Sequence, residues 1–361
     1  MSEFDVIVIG GGPAGCYAAL TAAVNGVRVA VFEEHRAIGW PRHDPGWLME
    51  SQFAESISGV MGKAISCIKV KEYRVSDPES GELIEKSKLG GYLTRRDLLE
   101  KEIAALAIRA GAKLYLKTKV VKLIKKQGKV EGIETNSDII PRVGGEIFIC
   151  ADGIRSAGNG FAVKEGLVER GEVKAGVRYI LANAEVSAGV NEHFISSNPL
   201  FNFRTFFTHG ENASFFSVPS FKAFQELKER DDNVISGKIK NAFPLEISGF
   251  ATATSGKYGD YFNNIIQGNL LFIGDASGGS GNVHGMIQGK FAGAVAASAI
   301  KEKDISKERL SEYQDAVFKT LRKVPFCWFS AREDFGSYNN WFHQFRETTK
   351  GIKATELASF K

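Results

Sequence analysis

The apolar positions of this chain fall into two patterns, which predict two kinds of sheet. In the first pattern, short continuous apolar runs are bounded by turn residues, as expected of strands that are buried on both faces of a parallel sheet. These runs lie at 4–9, 27–33, 147–151 and 269–273. In the second pattern, strand-like stretches follow one another between residues 160 and 265. Their close succession predicts a mostly antiparallel sheet inserted into the first domain.

Helical periodicity accounts for much of the remaining chain. Apolar residues recur at helical spacing from 94 to 109, and Gly111 follows as a helix-ending glycine. Further helices are predicted at 222–240, 286–300 and 307–323. Residues 34–92 are predicted to be irregular because glycine and proline clusters interrupt them.

The turn after the first strand has the glycine spacing of a dinucleotide site. Gly10, Gly12 and Gly15 form the pattern Gly-x-Gly-x-x-Gly directly before a helix, whose first turn contains Ala14. Gly10 permits the tight turn, Gly12 lets the backbone approach a pyrophosphate, and Gly15 lets the helix pack against the strand. The helix N-terminus at Ala14 supplies free N–H groups. Glu33 ends the second strand about 20 residues later, where it can accept hydrogen bonds from ribose hydroxyls. NAD and FAD both fit this pattern.

A second acidic strand end far along the chain separates these two cofactors. Gly274 and Asp275 follow the apolar run at 269–273. NAD needs no such distant partner, whereas the ribitol hydroxyls of FAD lie beyond the pyrophosphate and need an acceptor from elsewhere in the chain. The two acidic strand ends together therefore predict FAD.

Two further positions are predicted to contact the same cofactor. Asp152 and Gly153 end the run at 147–151 and are expected on the pyrophosphate side of the crevice. Arg96 stands near the start of the helix at 94–109, where a guanidinium group can meet the phosphates or the ribose.

The composition narrows the function classes. The chain has 361 residues, of which 43% are hydrophobic and 24% are charged, which is ordinary for a soluble globular protein. A net charge of +4 without a long basic run gives no indication of a nucleic-acid partner. The four cysteines are widely spaced and predict neither a disulfide framework nor a metal site. No apolar run reaches the roughly 18 residues of a membrane-spanning helix. The first strand at residue 4 leaves no room for a signal peptide, so a cytoplasmic protein is expected.

These residues resemble the flavoprotein hydroxylase superfamily, which has the p-hydroxybenzoate hydroxylase fold, and within it the geranylgeranyl reductase family. The stretch 33–43 resembles the family's acidic strand end and the loop after it. Arg96 with Leu99 and Glu100 resembles the start of its helix, and 274–293 resembles its ribitol segment. The resemblance implies that Val120 contacts adenine through its backbone.

The resemblance also implies a fold and its division into domains. The expected α/β fold combines an FAD-binding Rossmann-like domain, an inserted mostly antiparallel substrate domain and C-terminal helices. The FAD-binding domain is expected at 1–75, 94–158 and 265–305, the substrate domain at 76–93 and 159–264, and the aromatic-rich helical segment at 306–361. The N–H groups of Gly285 and Met286, opening a helix, are expected to stabilise negative charge on the reduced flavin ring.

The function implied is FAD-dependent reduction of carbon–carbon double bonds in an isoprenoid or another apolar substrate. An FAD-dependent aromatic monooxygenase and a non-catalytic electron-transfer flavoprotein remain alternatives. The chain has no second dinucleotide fingerprint, so NAD(P)H and ferredoxin are both open as external electron donors. Aromatic residues at 201–216 and 326–345 would fill the core, line a wall for an apolar chain or touch a membrane surface. Peripheral membrane contact therefore stays open.

Three departures from the family pattern concern the region around the flavin ring and the substrate. His43-Asp44 stands where archaeal reductases usually have His-Cys, 278–282 lacks the family's proline, and 214–219 matches Tyr-x-Trp-x-Phe-Pro only in part. Asp44 and His284 are the polar residues expected nearest the flavin ring and are the candidate catalytic residues. The simpler alternatives are a turn acid before Pro45 and a loop histidine that bonds backbone.

Overall fold

A computed structural model gives the fold, and the ranges that it describes are 3–42, 44–153, 160–166, 173–195, 204–208, 213–218, 220–253, 265–277, 281–321 and 336–360. The strands in these ranges are β1 Phe4–Ile9, β2 Val29–Phe32, β3 Trp47–Leu48, β4 Ile68–Lys69, β5 Glu72–Ser76, β6 Leu83–Ser87, β7 Tyr92–Leu93, β8 Lys113–Tyr115, β9 Val120–Lys126, β10 Lys129–Thr135, β11 Arg142–Cys150, β12 Val173–Ala182, β13 Val190–Phe194, β14 Arg204–Thr208, β15 Ala213–Val218, β16 Phe243–Ala253, β17 Ile266–Gln267 and β18 Leu270–Phe272. The helices are α1 Pro13–Val24, α2 Gln52–Met61, α3 Arg96–Arg109, α4 Phe161–Lys164, α5 Phe221–Glu229, α6 Val234–Ile239, α7 Asn282–Glu302, α8 Lys307–Thr320 and α9 Tyr338–Thr348. Short 3-10 helices lie at Gly274–Ser277 and Thr355–Phe360.

The first sheet is parallel through its centre, as the continuous apolar runs predict. Its main order is β17-β18-β11-β1-β2-β8, and β9 and β10 extend it from β11. Both faces are buried: Val6 and Val8 of β1 belong to the core formed with α1 and α7, whereas Ile7 and Ile9 pack in a second core with β9 and β10. Two-sided burial explains why these strands lack apolar–polar alternation.

The small residues of α7 bring that helix against α1. A Cβ atom added at Gly289 would lie 2.4 Å from the Ala14 carbonyl oxygen, and one added at Gly293 would lie 2.5 Å from the Ala18 carbonyl oxygen. Side chains at these positions would therefore push the helices apart. Their close packing holds the start of α7 beside the start of α1.

The second sheet is mostly antiparallel, with the order β16-β12-β15-β14-β13-β5-β6. Its outer face is covered by α5 and α6, where Tyr179 stacks on Phe224 with ring centroids 4.2 Å apart. Its inner face contains Tyr73 and Ile180, which belong to the core shared with the first sheet. The strands β3, β7 and β4 form a third, small sheet.

The structure corrects several predicted elements. Residues 34–92 are not irregular throughout, because α2 and the strands β3 to β7 lie there. The Ser51 side chain caps α2 by accepting a hydrogen bond from the Ala54 N–H, a start signal that the prediction missed. The predicted helix at 222–240 is two helices, and Asn233 caps the second of them. β5 begins at Glu72, so the second sheet includes residues before the predicted boundary at 76.

Candidate functional site

Four strands of the first sheet end in register at one edge. Ile9 at the end of β1 pairs with Phe32 of β2 and with Cys150 of β11. Phe272 at the end of β18 also pairs with Cys150. The residues predicted for the cofactor that follow these strand ends are Gly10, Glu33, Asp152 and Asp275. Residues far apart in sequence therefore meet at the carboxyl edge of the parallel sheet, where α/β folds place ligands.

The glycine turn has the geometry that each glycine predicts. Gly10 has a φ of +104°, and a Cβ atom added there would lie 2.3 Å from the Ala151 carbonyl oxygen. A Cβ atom added at Gly15 would lie 2.0 Å from the Gly10 carbonyl oxygen. At Gly12, by contrast, an added Cβ atom would meet no described atom within 4 Å. Gly10 and Gly15 are thus required by packing, whereas Gly12 leaves open space beside the start of α1.

The start of α1 can hold an anion. Gly12 is its N-cap, and within the described chain no side chain caps this end. The first N–H groups of a helix have no partner inside the helix, and they carry the positive end of its dipole. Phosphate groups are recognised in this way.

Glu33 lies against the glycine turn. Its Oε2 accepts a hydrogen bond from the Gly11 N–H at 2.7 Å, and its Oε1 accepts one from the His35 N–H at 2.8 Å. The Thr118 N–H donates to the Glu33 carbonyl oxygen at 2.8 Å, which brings Val120, the buried first residue of β9, to the same side of the site. The residues predicted for the ribose and the adenine therefore lie together.

The second acidic strand end packs against the start of α1 at Ala14. Gly274 has a φ of +64°, and a Cβ atom added there would lie 3.1 Å from the Ala14 Cβ. An added Cβ atom at Gly285 would lie 3.2 Å from the same atom. The Gly274 N–H donates to Gln288 Oε1 at 2.5 Å, which fixes this turn on α7. Asp275, half-buried, follows directly.

Asp152 is held by the chain that follows it. Its Oδ2 accepts a hydrogen bond from the Phe161 N–H at 3.1 Å, and Gly153 has a φ of +67°. Both residues stand directly after β11, beside the glycine turn.

Arg96 begins α3 as a buried cation. Its Nε donates to Glu100 Oε1. Burial by itself would lower the pKa of Arg96, but the carboxylates of Glu100 and Asp44 outweigh burial and hold that pKa above its ordinary value. Burial also raises the pKa of Glu100, although Arg96 opposes the shift. The guanidinium group is therefore charged and fixed in position at the site.

Asp44 lies in the site as well as in a turn. Its Oδ1 accepts hydrogen bonds from the Gly46 N–H and from Asn282 Nδ2, both at 2.8 Å. Burial by itself would raise the pKa of the Asp44 carboxyl. The guanidinium groups of Arg96 and Arg178, with these hydrogen bonds, outweigh burial and hold that pKa below its ordinary value. Asp44 is consequently ionised at neutral pH.

A cleft joins this group to the inner face of the second sheet. The residues lining it include Arg42, Asp44, Arg96, Ile180, Glu246 and Ser248. Arg42 Nε donates to Glu246 Oε1 at 3.0 Å, and Arg42 Nη1 lies 3.5 Å from Asp97 Oδ1. Burial lowers the pKa of Arg178 to about 10 against the opposing effects of the Asp44 and Asp275 carboxylates. The cleft is therefore lined by charges of both signs.

The prediction missed Arg42, Arg178 and Glu246. Arg178 stands inside an otherwise apolar strand stretch at 176–181, and Glu246 alternates with the apolar residues of 243–247. Charged residues at such positions are rarely buried without a partner, so both could have been identified as candidates.

The structure separates the two candidate catalytic residues. Asp44 lines the cleft, whereas His284 is buried in α7 and stacks on Phe345 of α9 with ring centroids 4.6 Å apart. His284 is two residues beyond Asn282, which contacts Asp44, and two residues turn a helix by about 200°. His284 therefore lies on the side of α7 away from Asp44, and it is not in a loop.

The predicted start of α7 is also corrected. The helix begins at Asn282, and the Gly285 N–H already donates to the Gly281 carbonyl oxygen at 2.9 Å. The hydrogen bonds of the helix therefore already include the Gly285 N–H, so Gly285 and Met286 do not open the helix. Met286 is buried in the core.

Some predicted features lie outside the described residues. These are His43, Phe201, Phe203, Phe326, Trp328, Phe329, Phe335 and the glycine-rich stretch 278–280. Among the described residues, no helix combines the length and apolar character that crossing a membrane requires. Within the same ranges, no group of three or more His, Cys, Asp or Glu residues could hold a metal ion.

Solved structures share this fold. A geranylgeranyl bacteriochlorophyll reductase-like protein from Thermoplasma acidophilum matches with a TM-score of 0.72 at 21% identity, over 99% of this chain and 95% of that one. A flavin-dependent brominase matches with a TM-score of 0.70 at 15% identity, over 94% and 90% of the two chains. Aklavinone-11 hydroxylase, solved with FAD and aklavinone, matches with a TM-score of 0.65 at 17% identity, over 92% and 69%.

Curated relatives match over most of the chain. The digeranylgeranylglycerophospholipid reductase of Thermoplasma volcanium is 26% identical over 342 residues, which cover 88% of this chain and 84% of that protein. The reductase of the same name from Picrophilus torridus is 26% identical over 368 residues, which cover 94% and 89%. Residues 5–237 match the model of the family described as FAD dependent oxidoreductase. Because this match spans more than half of the chain, the protein belongs to the FAD dependent oxidoreductase family, and its cofactor is FAD.

Proposed function

We propose that this protein reduces carbon–carbon double bonds of an isoprenoid or a similarly apolar lipid. The observation that carries the proposal is the match to digeranylgeranylglycerophospholipid reductases, which spans 88% of this chain. The fold alone does not select this chemistry, because a brominase and a hydroxylase share it.

The residues at the sheet edge fit FAD. In the proposal, the N–H groups at Gly12, Ala14 and Gly15 bind the pyrophosphate in the open space beside Gly12. Glu33 accepts the ribose hydroxyls, and the Val120 backbone contacts adenine. The remaining residues proposed to hold FAD are Arg96, Asp152, Gly153, Gly274, Asp275 and Gly285, with Asp275 as the acceptor for the ribitol. FAD, when bound and reduced by an external electron donor, would supply a hydride to the substrate double bond.

The residues of the cleft orient the site rather than supply its proton. Asp44 is ionised at neutral pH, so it has no proton to donate there. Its hydrogen bond to Asn282 holds the start of α7, and its charge holds Arg96 and Arg178 in place. His284, in its stack on Phe345, has a packing role in this proposal.

The test uses the isolated holoprotein. The flavin is reduced anaerobically with dithionite and then mixed with geranylgeraniol, and reoxidation is followed by flavin absorbance. We expect substrate-dependent reoxidation and a product that has gained two hydrogen atoms by mass spectrometry. The saturated analogue, phytanol, is the matched control and should leave the flavin reduced.

Two results would contradict the proposal. If no isoprenoid reoxidises the reduced flavin, isoprenoids are not the substrate class. Oxygen-dependent consumption of NAD(P)H that rises with an aromatic substrate would instead indicate a monooxygenase.

We further propose that the protein meets its lipid at a membrane surface. Four large apolar side chains are exposed on and beside β16, the edge strand of the second sheet. They are Phe243 (71%), Leu245 (65%) and Ile247 (49%) of β16, and Phe221 (58%) of α5. Lys228 Nζ lies 6.0 Å from the Phe243 ring centroid, so this basic side chain lies beside the patch. Apolar side chains beside a lysine are typical of shallow insertion into a bilayer interface.

The occupant that we propose for this patch is a bilayer rather than a second copy of the chain. Pro244 is the second residue of β16 and lacks the N–H that pairing with another strand requires. Glu246 and Ser248, which alternate with the exposed residues, line the cleft, so the patch lies beside the cleft. Phe243→Ser/Leu245→Ser should abolish sedimentation with anionic phospholipid vesicles while FAD stays bound; unchanged sedimentation would exclude this surface.

A further inference from the structure

The inner face of the second sheet holds a buried amide for which the described part of the chain offers no hydrogen-bond partner. Asn191 of β13 is fully buried, and neither its Nδ2 nor its Oδ1 has a hydrogen-bond partner among the described residues. A buried amide with unpaired donors and acceptors opposes folding, so such a residue is expected where a ligand completes its hydrogen bonds.

A row of paired residues connects Asn191 to the cleft. Glu246 of β16 pairs with Ile180 of β12, and both line the cleft. The row continues through register positions 215 and 207, both phenylalanine in the sequence, and reaches Asn191. Directly paired residues share a face of the sheet. The three strand spacings from Ile180 to Asn191 amount to roughly 14 Å.

The end of the row at Asn191 is neutral. Asn191 pairs with Tyr73, whose ring lies 5.1 Å from the His193 ring and 5.0 Å from the Phe342 ring. Burial lowers the pKa of His193 to about 3, so His193 is uncharged at neutral pH. The charged residue of this strand, Glu192, alternates with them and pairs with Lys238 at 2.9 Å. An uncharged group that both donates and accepts hydrogen bonds, such as a hydroxyl, fits this end.

We propose that Asn191 is the polar anchor that binds the hydroxyl end of an isoprenoid chain, while the chain follows the row towards the cleft. This inference rests on the proposed function and adds the identity of the end group and the direction of the chain. A phosphate end group would instead be drawn to the guanidinium groups of Arg42 and Arg96 at the other end of the row.

The test compares end groups on one chain length. The holoprotein is titrated with geranylgeraniol, with the corresponding hydrocarbon that lacks the hydroxyl, and with geranylgeranyl phosphate, and binding is followed by the shift of the flavin spectrum. We expect the wild-type protein to bind the alcohol about tenfold more tightly than the hydrocarbon. Asn191→Leu, which keeps the side-chain volume, should remove this preference and raise the midpoint of thermal unfolding.

Ser236→Ala is the matched control. Ser236 of α6 is also fully buried with a hydroxyl that has no partner in the described ranges, but it packs behind the outer face of the sheet. Removing that hydroxyl should leave the preference for the alcohol intact. Asn191→Ala repeats the test should Asn191→Leu fold poorly, and it must lose the preference as well.

The outcomes separate this inference from the proposed function. An Asn191 variant that still prefers the alcohol overturns the anchor, while reduction of double bonds by the same variant keeps the proposed function. If geranylgeranyl phosphate binds more tightly than the alcohol, and this difference depends on Asn191, the inference that the end group is neutral is wrong. If the wild-type protein neither binds nor reduces any isoprenoid, the proposed function fails and the anchor fails with it.

Discussion

The carboxyl edge of the first sheet and the inner face of the second sheet hold their polar residues in different ways. At the edge, Glu33 directly follows a buried strand and already accepts hydrogen bonds from the Gly11 and His35 N–H groups. On the inner face, polar residues such as Arg178 and Asn191 lie within strands, and the amide of Asn191 has no partner among the described residues. The Glu33 carboxylate is therefore held in place by the protein before a ligand binds, whereas the Asn191 amide is proposed to gain its partner from a ligand.

A brominase and a hydroxylase share this fold, so the fold alone does not identify the ligand of either region. In the proposal for the inner face, ligand binding depends on the Asn191 side chain, which can be changed without changing the pairing of the strands. If the two regions are independent, a change in one region should leave the other intact.

The largest effect is expected on the outer face of the second sheet. Phe224 is buried and stacks on Tyr179, so Phe224→Ala should lower the free energy of unfolding by about 4 kcal/mol. Urea unfolding measures the loss. If the regions are independent, the folded variant keeps its full flavin absorbance. Release of FAD below the unfolding transition would show that the edge depends on the second sheet.

Substitutions at two glycines of the edge distinguish an effect on packing from an effect on cofactor binding. Gly15→Ala forces a Cβ atom to within 2.0 Å of the Gly10 carbonyl oxygen and should lower the free energy of unfolding by about 3 kcal/mol. Gly12→Ala meets no described atom, so the apoprotein should unfold like the wild type. Its Cβ atom enters the space proposed for the pyrophosphate, and FAD should be lost on dialysis. If Gly12→Ala retains FAD normally, the pyrophosphate does not bind at this turn.

The edge could be predicted from sequence because its signals are local. Gly10, Gly12, Glu33 and Asp275 each stand beside an apolar run, and a buried strand must end where its polar residues begin. The parallel sheet and the meeting of distant strand ends followed from those runs. The short helix α2 was missed because glycine and proline clusters surround it.

The inner face could not be predicted because its site depends on register. Asn191 and Ile180 belong to one row only when four strands align, and no local pattern reveals which residues of separate strands pair. The place of Asp44 in the site could not be predicted from a local pattern either. Its position before Pro45 is typical of a turn, and its contact with Asn282 depends on how α7 packs.

Asp44 should make stability depend on pH. Its pKa in the folded protein lies below the ordinary value, so its ionised form stabilises the fold above about pH 4, and this contribution is lost as the pH falls through the folded-state pKa. Asp44→Asn should lower the free energy of unfolding of the apoprotein by about 2 kcal/mol at neutral pH. The difference between variant and wild type should shrink in acid. A difference that stays constant down to pH 3 would show that Asp44 does not titrate as described.

The smallest effect is expected where the two regions join. Arg42, from the loop after β2, pairs with Glu246 of β16, and both side chains are partly accessible to solvent. A double-mutant cycle with Arg42→Met and Glu246→Gln should give a coupling of about 1 kcal/mol at low salt, and the coupling should fall as salt is added. The single Arg42→Met variant would not measure the coupling of the pair, because it also removes the contact between Arg42 and Asp97. A coupling that resists salt would mean that the pair is shielded from water and ties the regions tightly, whereas no coupling would leave the edge and the inner face joined by apolar packing alone.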